Sequence, residues 1–142
     1  MIKQFWIAGL MALCLSAPTG AQEFIEDVNY VRLSKPQAVQ TGDKIEVLEL
    51  FWYHCPHCFY LEPYLNRWLK NTADYIEYVR LPAVLTGSWE FDARVFYTFE
   101  ALGVTEAMHK AYFDAIHKDR KSFVTEEQVA GWAGDYGIER QD

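Results

Sequence analysis

The alternation of apolar and polar residues predicts strands in the first half of the chain. A short strand is predicted over residues 30–33, and a second over residues 45–52, which are apolar almost throughout. A continuous apolar run is typical of a strand covered on both faces. Residues 76–81 alternate sufficiently for a third strand. With the helix described next, this predicts the order β-β-α-β.

A helix is predicted to begin at Pro56, because proline suits the first helical position, where its missing N–H is not needed. Its apolar residues recur at helical spacing and predict one buried stripe, formed by Leu61, Tyr64, Leu65, Trp68 and Leu69. Pro63 falls inside this helix and is expected to kink it.

The second half of the chain has helical periodicity, with three predicted helices over residues 88–102, 105–117 and 125–136. Ser88 is predicted to cap the first of them. Thr125 and Gln128 have the spacing of a capping box at the start of the third. These residues predict a small helical subdomain.

The N-terminus has the pattern of a secretory signal peptide. Lys3 precedes an apolar run over residues 5–15, which is followed by small residues up to Ala21. The run is too short for an ordinary transmembrane helix. We expect cleavage after Ala21, which removes Cys14 and leaves two cysteines in a compartment that permits disulfides.

The composition predicts one folded domain. The chain has 142 residues, of which 51% are hydrophobic, and this is enough for a substantial core. The formal net charge of −7 makes nucleic acid an unfavourable partner.

Cys55-Pro56-His57-Cys58 is the candidate chemistry of the chain. Two cysteines on one first helical turn lie close enough to form a disulfide, and the positive end of the helix dipole stabilises a thiolate there. His57 can donate to the Cys55 thiolate or stabilise it as an imidazolium, which favours the reduced form. The motif therefore predicts thiol–disulfide exchange, with Cys55 as the nucleophile.

The motif allows two other interpretations, a structural disulfide and a zinc site. A structural disulfide here would enclose two residues, and so short a loop restrains the unfolded chain little. A zinc site with His54 or His57 would need a second pair of ligands, which the sequence lacks.

Three parts of the sequence together resemble the DsbA family of periplasmic thiol:disulfide oxidases. They are the signal peptide, residues 47–58 and the three predicted helices that follow residue 87, which are called the helical block. The resemblance implies an α/β, thioredoxin-like fold with an inserted helical domain, and disulfide formation in exported client proteins that carry free thiols. It also implies reoxidation by a DsbB-like, quinone-linked membrane protein in the periplasm, without a metal or organic cofactor. An isomerase or reductase remains an alternative, because the cysteine spacing does not set the redox direction.

Family members continue beyond the inserted helices, so we interpret the sequence as incomplete at the C-terminus. The resulting division is a signal peptide over residues 1–21, the first part of the thioredoxin-like domain over residues 22–85, and the inserted helical domain over residues 86–142. An inactive fragment that keeps the motif is the second alternative.

Among the remaining polar residues, Glu49 corresponds to an acidic residue near the active site of the family, which implies a proton-relay role. The competing interpretation is a carboxylate that only meets a basic partner. Glu62 is interpreted as a solvated helix residue, and His54 either adds charge beside the thiols or is polar surface. No role is predicted for His109 or His117.

Overall fold

The computed structural model describes residues 23–138, and internal contacts divide the chain into two units, Met1–Ala38 and Val39–Asp142. The predicted signal peptide, with Cys14, lies outside the described residues. The domain limits predicted from the sequence, residues 22–85 and 86–142, stay a prediction.

The described part of the first unit is a turn closed by local hydrogen bonds. The Ile25 N–H donates to Asn29 Oδ1 at 3.0 Å, and Asp27, with φ at 68°, donates its N–H to the Tyr30 carbonyl at 2.8 Å. Glu26 and Tyr30 form one isolated bridge. The strand predicted over residues 30–33 is wrong, because a side-chain amide and a left-handed residue close a turn in place of a ladder.

The second unit contains two strands and four helices in the order β1 (Ile45–Phe51), α1 (Pro56–Leu69), β2 (Ile76–Pro82), α2 (Gly87–Ala101), α3 (Thr105–His117) and α4 (Glu126–Gly134). The strands pair in parallel, with Ile45 beside Ile76 and Phe51 beside Pro82. A parallel pair needs a crossover connection, which α1 supplies. The predicted strands over residues 45–52 and 76–81 are confirmed to within one residue.

The helix boundaries follow the capping residues closely. The start of α1 at Pro56 and the capping box of Thr125 and Gln128 are confirmed. The prediction for Ser88 is wrong, because Thr86 is the N-cap of α2 and its carbonyl accepts from the N–H groups of Trp89 and Glu90. The helix therefore begins one residue before Ser88.

The core lies where the end of β1 enters the helical block. Its buried residues include many aromatic side chains, namely Phe51, Tyr53, Phe96, Phe99, Tyr112, Phe113, Phe123 and Trp132. Phe51 meets Phe96 edge to face, with the ring centroids 5.3 Å apart. Tyr53 meets Tyr112 in the same way at 4.6 Å. Edge-to-face pairs of this kind add to the stabilisation that burial alone provides.

Two burial patterns differ from the prediction. Leu50 of β1 is 63% exposed and Tyr64 of α1 is 65% exposed, so neither two-sided cover of β1 nor a buried stripe on α1 is found among residues 23–138. The residue of α1 that is buried is Glu62. The apolar spacing indicated the helix correctly but assigned its buried face wrongly, because the polar contacts of Glu62 decide which side faces inward.

Replacing Phe96 by Ala is expected to lower the free energy of unfolding by about 3–5 kcal/mol, since the ring is buried among aromatic neighbours and a cavity replaces it. Equilibrium denaturation of the wild type and the variant measures this. Tyr97→Ala is the matched control, because Tyr97 directly follows Phe96 on α2 and its own side chain is 47% exposed. A loss below about 1 kcal/mol is expected there. Equal losses in both variants would place the core elsewhere.

Candidate active site

The two cysteines lie where the end of β1 turns into α1. Cys55 is the N-cap of α1, and its N–H donates to the Trp52 carbonyl at 3.0 Å. Its sulfur accepts from the Cys58 N–H at a donor–acceptor distance of 3.5 Å. Both cysteines are free thiols in the structure and are partly buried. The turn thus points unpaired backbone N–H groups at one sulfur, as expected for a helix N-terminus.

The acidities of the two thiols differ in direction. Partial burial acts to raise the pKa of Cys55, but hydrogen bonds from the Cys58 N–H, the Cys58 thiol and the His57 N–H outweigh it and lower that pKa. The pKa of Cys58 is raised to about 11, chiefly by burial and also by its hydrogen bond to Cys55 and the charges of Cys55 and Glu49. Cys55 is therefore the better nucleophile and leaving group of the pair.

Pro56 and His57 are exposed on the first turn of α1. Pro56 occupies the first helical position, and the backbone N–H of His57 contributes to the lowered pKa of Cys55. The structure thus assigns a contribution to the backbone of His57. The role predicted for its imidazole stays a prediction.

Glu49 is nearly buried beneath this turn. The Tyr78 hydroxyl donates to its Oε2, and Arg80 Nε lies 3.4 Å from the same oxygen. Glu49 and Arg80 are register partners on β1 and β2, which brings their side chains together. Glu49 therefore has a basic partner, and its charge also reaches Cys58.

Glu62 is buried at 5% exposure, so its interpretation as a solvated helix residue is wrong. One Arg80 terminal nitrogen donates to both of its oxygens, at 3.2 and 3.3 Å, and His109 Nε2 donates to Oε1 at 3.2 Å. Burial acts to raise the pKa of Glu62, but these bonds and charges lower it overall. A buried carboxylate is tolerable only with partners of this kind.

All four histidines of the chain lie in the motif or contact the residues around it. His109 shares a hydrogen bond with the Tyr53 hydroxyl at 3.0 Å. His117 Nε2 donates to the Tyr53 carbonyl at 2.8 Å, and its ring stacks on Phe59 with centroids 4.7 Å apart. Tyr53 and Phe59 flank the motif on its two sides. Two imidazoles of α3 therefore hold the turn formed by residues 55–58, which is called the redox turn below.

His54 contacts α2 and not α3. Its Nδ1 donates to Asp92 Oδ2 at 2.7 Å, and the hydrogen bond to Asp92 raises the pKa of His54. Asp92 is 2% exposed, and the Tyr112 hydroxyl lies 3.5 Å from its other oxygen.

The sequence reasoning missed the roles of Asp92, His109 and His117, although a signal was present. Asp92 precedes Phe96 by four residues, and His109 precedes Phe113 by four residues. Residues at this spacing share a helix face, so both polar side chains lie on apolar, inward-facing stripes. Polar residues on such a face indicate buried partners.

Two further properties concern residues 23–138. No cluster of three or more His, Cys, Asp or Glu side chains in this range is arranged to hold a metal ion. None of its helices is long and apolar enough to cross a membrane.

Comparison with known proteins identifies clear relatives, although no protein-family model matches the chain. The chain is 37% identical over 131 residues to the thiol:disulfide interchange protein DsbA of Pseudomonas aeruginosa, and the match covers 92% of the chain and 62% of the relative. It is 42% identical over 111 residues to the DsbA of Azotobacter vinelandii, covering 78% of the chain and 52% of that protein. The chain thus spans between about half and three fifths of these relatives.

Solved structures give the same result. The crystal structure of Pseudomonas aeruginosa DsbA matches with a TM-score of 0.71 and 41% identity, covering 77% of the chain and 57% of the known structure. The DsbA oxidoreductase from Xylella fastidiosa matches with a TM-score of 0.65 and 32% identity, covering 71% and 56% respectively. Over the matched residues the chain is therefore similar in sequence to DsbA proteins and has the thioredoxin-like fold of the matched DsbA structures.

Proposed function

We propose that the chain provides the redox centre of a thiol:disulfide oxidase, which introduces disulfide bonds into exported proteins. The observation that carries this proposal is the opposite direction of the two thiol pKa values at one helix start, lowered for Cys55 and raised for Cys58. Reduction of a disulfide between them would give one stabilised thiolate at Cys55 and one thiol at Cys58, which takes up a proton. That asymmetry favours the departure of Cys55 as a thiolate from the mixed disulfide.

The reaction begins with the Cys55–Cys58 disulfide. A client thiolate attacks the Cys55 sulfur, the bond between the two cysteines breaks, and Cys58 leaves with the electron pair and takes up a proton. A second client thiolate then attacks the client sulfur of the mixed disulfide, and Cys55 leaves as a thiolate. The client gains one disulfide, and the two cysteines are left reduced.

Glu49 is proposed to hold the proton for Cys58 in this cycle. Its charge acts on Cys58, and its contacts with Tyr78 and Arg80 keep the carboxylate in place beneath the turn. A carboxylate so placed can accept the Cys58 proton during reoxidation and, once protonated, return it to the departing Cys58 thiolate. His57 is proposed to stabilise the Cys55 thiolate by charge or hydrogen bonding, and Pro56 to set the first turn.

The partners are proposed from the similarity to DsbA proteins. The proposed clients are exported proteins with free thiols, the proposed compartment is the periplasm, and the proposed oxidant is a DsbB-like membrane protein. A reductase or isomerase would use the same cysteines, and the redox equilibrium with glutathione separates these activities from an oxidase.

Cys58→Ala is expected to accumulate mixed disulfides with a reduced client peptide, because Cys55 still forms the bond while the resolving cysteine is absent. The variant is first activated as a mixed disulfide with glutathione and then exposed to the peptide, and the adduct is measured by intact mass. Cys55→Ala is the matched control and is expected to form much less adduct, since Cys58 is poorly ionised near neutral pH. Greater trapping by Cys55→Ala would reverse the two roles.

His57→Ala is expected to raise the pKa of Cys55 and to make the disulfide about tenfold less oxidising towards glutathione. Thiolate absorbance against pH and a glutathione redox titration measure the two effects. The backbone N–H of residue 57 remains in this variant, so the comparison isolates the imidazole. An unchanged redox equilibrium would remove the side chain from the mechanism.

Glu49→Gln is expected to lower the pKa of Cys58 from about 11, because the substitution removes a negative charge that disfavours the thiolate. The pH dependence of Cys58 alkylation, compared between Cys55→Ser and Cys55→Ser/Glu49→Gln, measures this. Client oxidation by the single Glu49→Gln variant should slow as well, since the proton relay is lost. Glu77→Gln on the neighbouring strand is the control, and an equal effect there would contradict a specific role of Glu49.

A further inference from the structure

A buried charge of the helical block lies against the residue that precedes the nucleophile. Asp92 of α2 is 2% exposed, and its Oδ2 accepts from His54 Nδ1 at 2.7 Å. His54 is less buried, with 35% of its side chain exposed. The pair joins the redox turn to α2 through one short ionic hydrogen bond.

Aromatic contacts hold the His54 ring in this place. The ring packs against Trp52 with centroids 5.5 Å apart, and Trp52 stacks on Trp89 of α2 at 4.2 Å with an interplanar angle of 8°. The imidazole therefore lies between the turn and α2. Among the described residues, Asp92 is the charged group that faces it, and Tyr112 of α3 contacts Asp92 from the far side at 3.5 Å.

The position of the pair matters for the thiol because consecutive Cα atoms are about 3.8 Å apart. His54 directly precedes Cys55, so charge on the pair lies within roughly one Debye length, about 8–10 Å, of the sulfur. An unbalanced anion at that range would oppose a thiolate, and an unbalanced cation would favour it. A balanced pair does neither.

We propose that His54 is a positioning residue for Cys55, which balances the buried carboxylate of Asp92 so that the nucleophile forms its thiolate beside a neutral pair. This inference deepens the proposed function and rests on it. His54 acts through Asp92 and makes no contact with the client in this scheme. The proposal makes the helical block an electrostatic part of the redox centre as well as a support for it.

The test compares the Cys55 pKa in three variants of the reduced full chain. His54→Asn keeps a hydrogen-bond donor but leaves Asp92 unbalanced, so the pKa of Cys55 should rise. Asp92→Asn removes the anion and leaves His54 as an unbalanced cation at pH values below its ordinary pKa of roughly 6.5. In that range the thiolate of Cys55 should be favoured, which lowers its apparent pKa. Each change should be about fivefold in the acid dissociation constant, the effect of a unit charge at roughly 8 Å in a partly solvated site. The double variant should return close to the wild type.

The readout is the pH dependence of alkylation at Cys55, identified by peptide mass. This measurement needs no disulfide exchange, so it stands even where the protein fails to oxidise a client. Failure of the wild type to exchange with glutathione would count against the proposed function alone. Loosened packing would shift the Cys55 pKa of both single variants in the same direction. Opposite shifts of the pKa in the two variants therefore cannot come from loosened packing.

Asp114→Asn is the matched control. This carboxylate lies on α3 and is paired with Lys110 and Lys118, so its removal leaves the His54–Asp92 pair intact and should leave the Cys55 pKa unchanged. His54→Lys restores a cation without the imidazole and should return the pKa of Cys55 towards the wild type, which keeps the test decisive if Asp92→Asn fails to fold. Three results would each overturn the proposal. The Cys55 pKa could shift in the same direction in both single variants, stay shifted in the double variant, or fail to return towards the wild type in His54→Lys.

Discussion

The insertion of Phe51 and Tyr53 into the aromatic core is the constraint on which the rest of the structure depends. Both side chains are buried to 1% exposure or less, and their partners come from α2 and α3. Because Cys55 follows Tyr53 by two residues, a strand end fixed in this way also fixes the turn that carries the thiol. The helical block therefore sets the position of the redox turn, although neither cysteine belongs to it.

Compensation of buried charge is the second organising feature. Two carboxylates, Glu62 and Asp92, are buried at 5% and 2% exposure, and each is paired with a histidine. Arg80 joins Glu62 to Glu49, so a polar network runs from the sheet to the Tyr53 hydroxyl. A buried ion without a partner would cost several kcal/mol, so each contact of this network supports the others.

Two of the acidic residues near the redox turn, Glu49 and Asp92, have different effects. Glu49 lies on the Cys58 side, where its charge opposes ionisation of that thiol. Asp92 lies on the side of His54 and is balanced by it. The difference between the two thiols thus arises from the helix start, from unequal burial and from the charge of Glu49 near Cys58.

The sequence by itself determined the strands and helices of the second unit and placed the two thiols at the start of α1. The start of α1, the capping box at Thr125 and the two thiols at the N-cap and on the first turn all depend on residues within a few positions of each other, so local pattern was sufficient to predict them. Glu62, Asp92, His109 and His117 were misjudged or missed, because their partners lie 18 to 64 residues away along the chain. Only the tertiary structure decided which face of α1 is buried and which imidazole meets which acid. Burial and pairing are properties of segments brought together by packing, and no single segment encodes them.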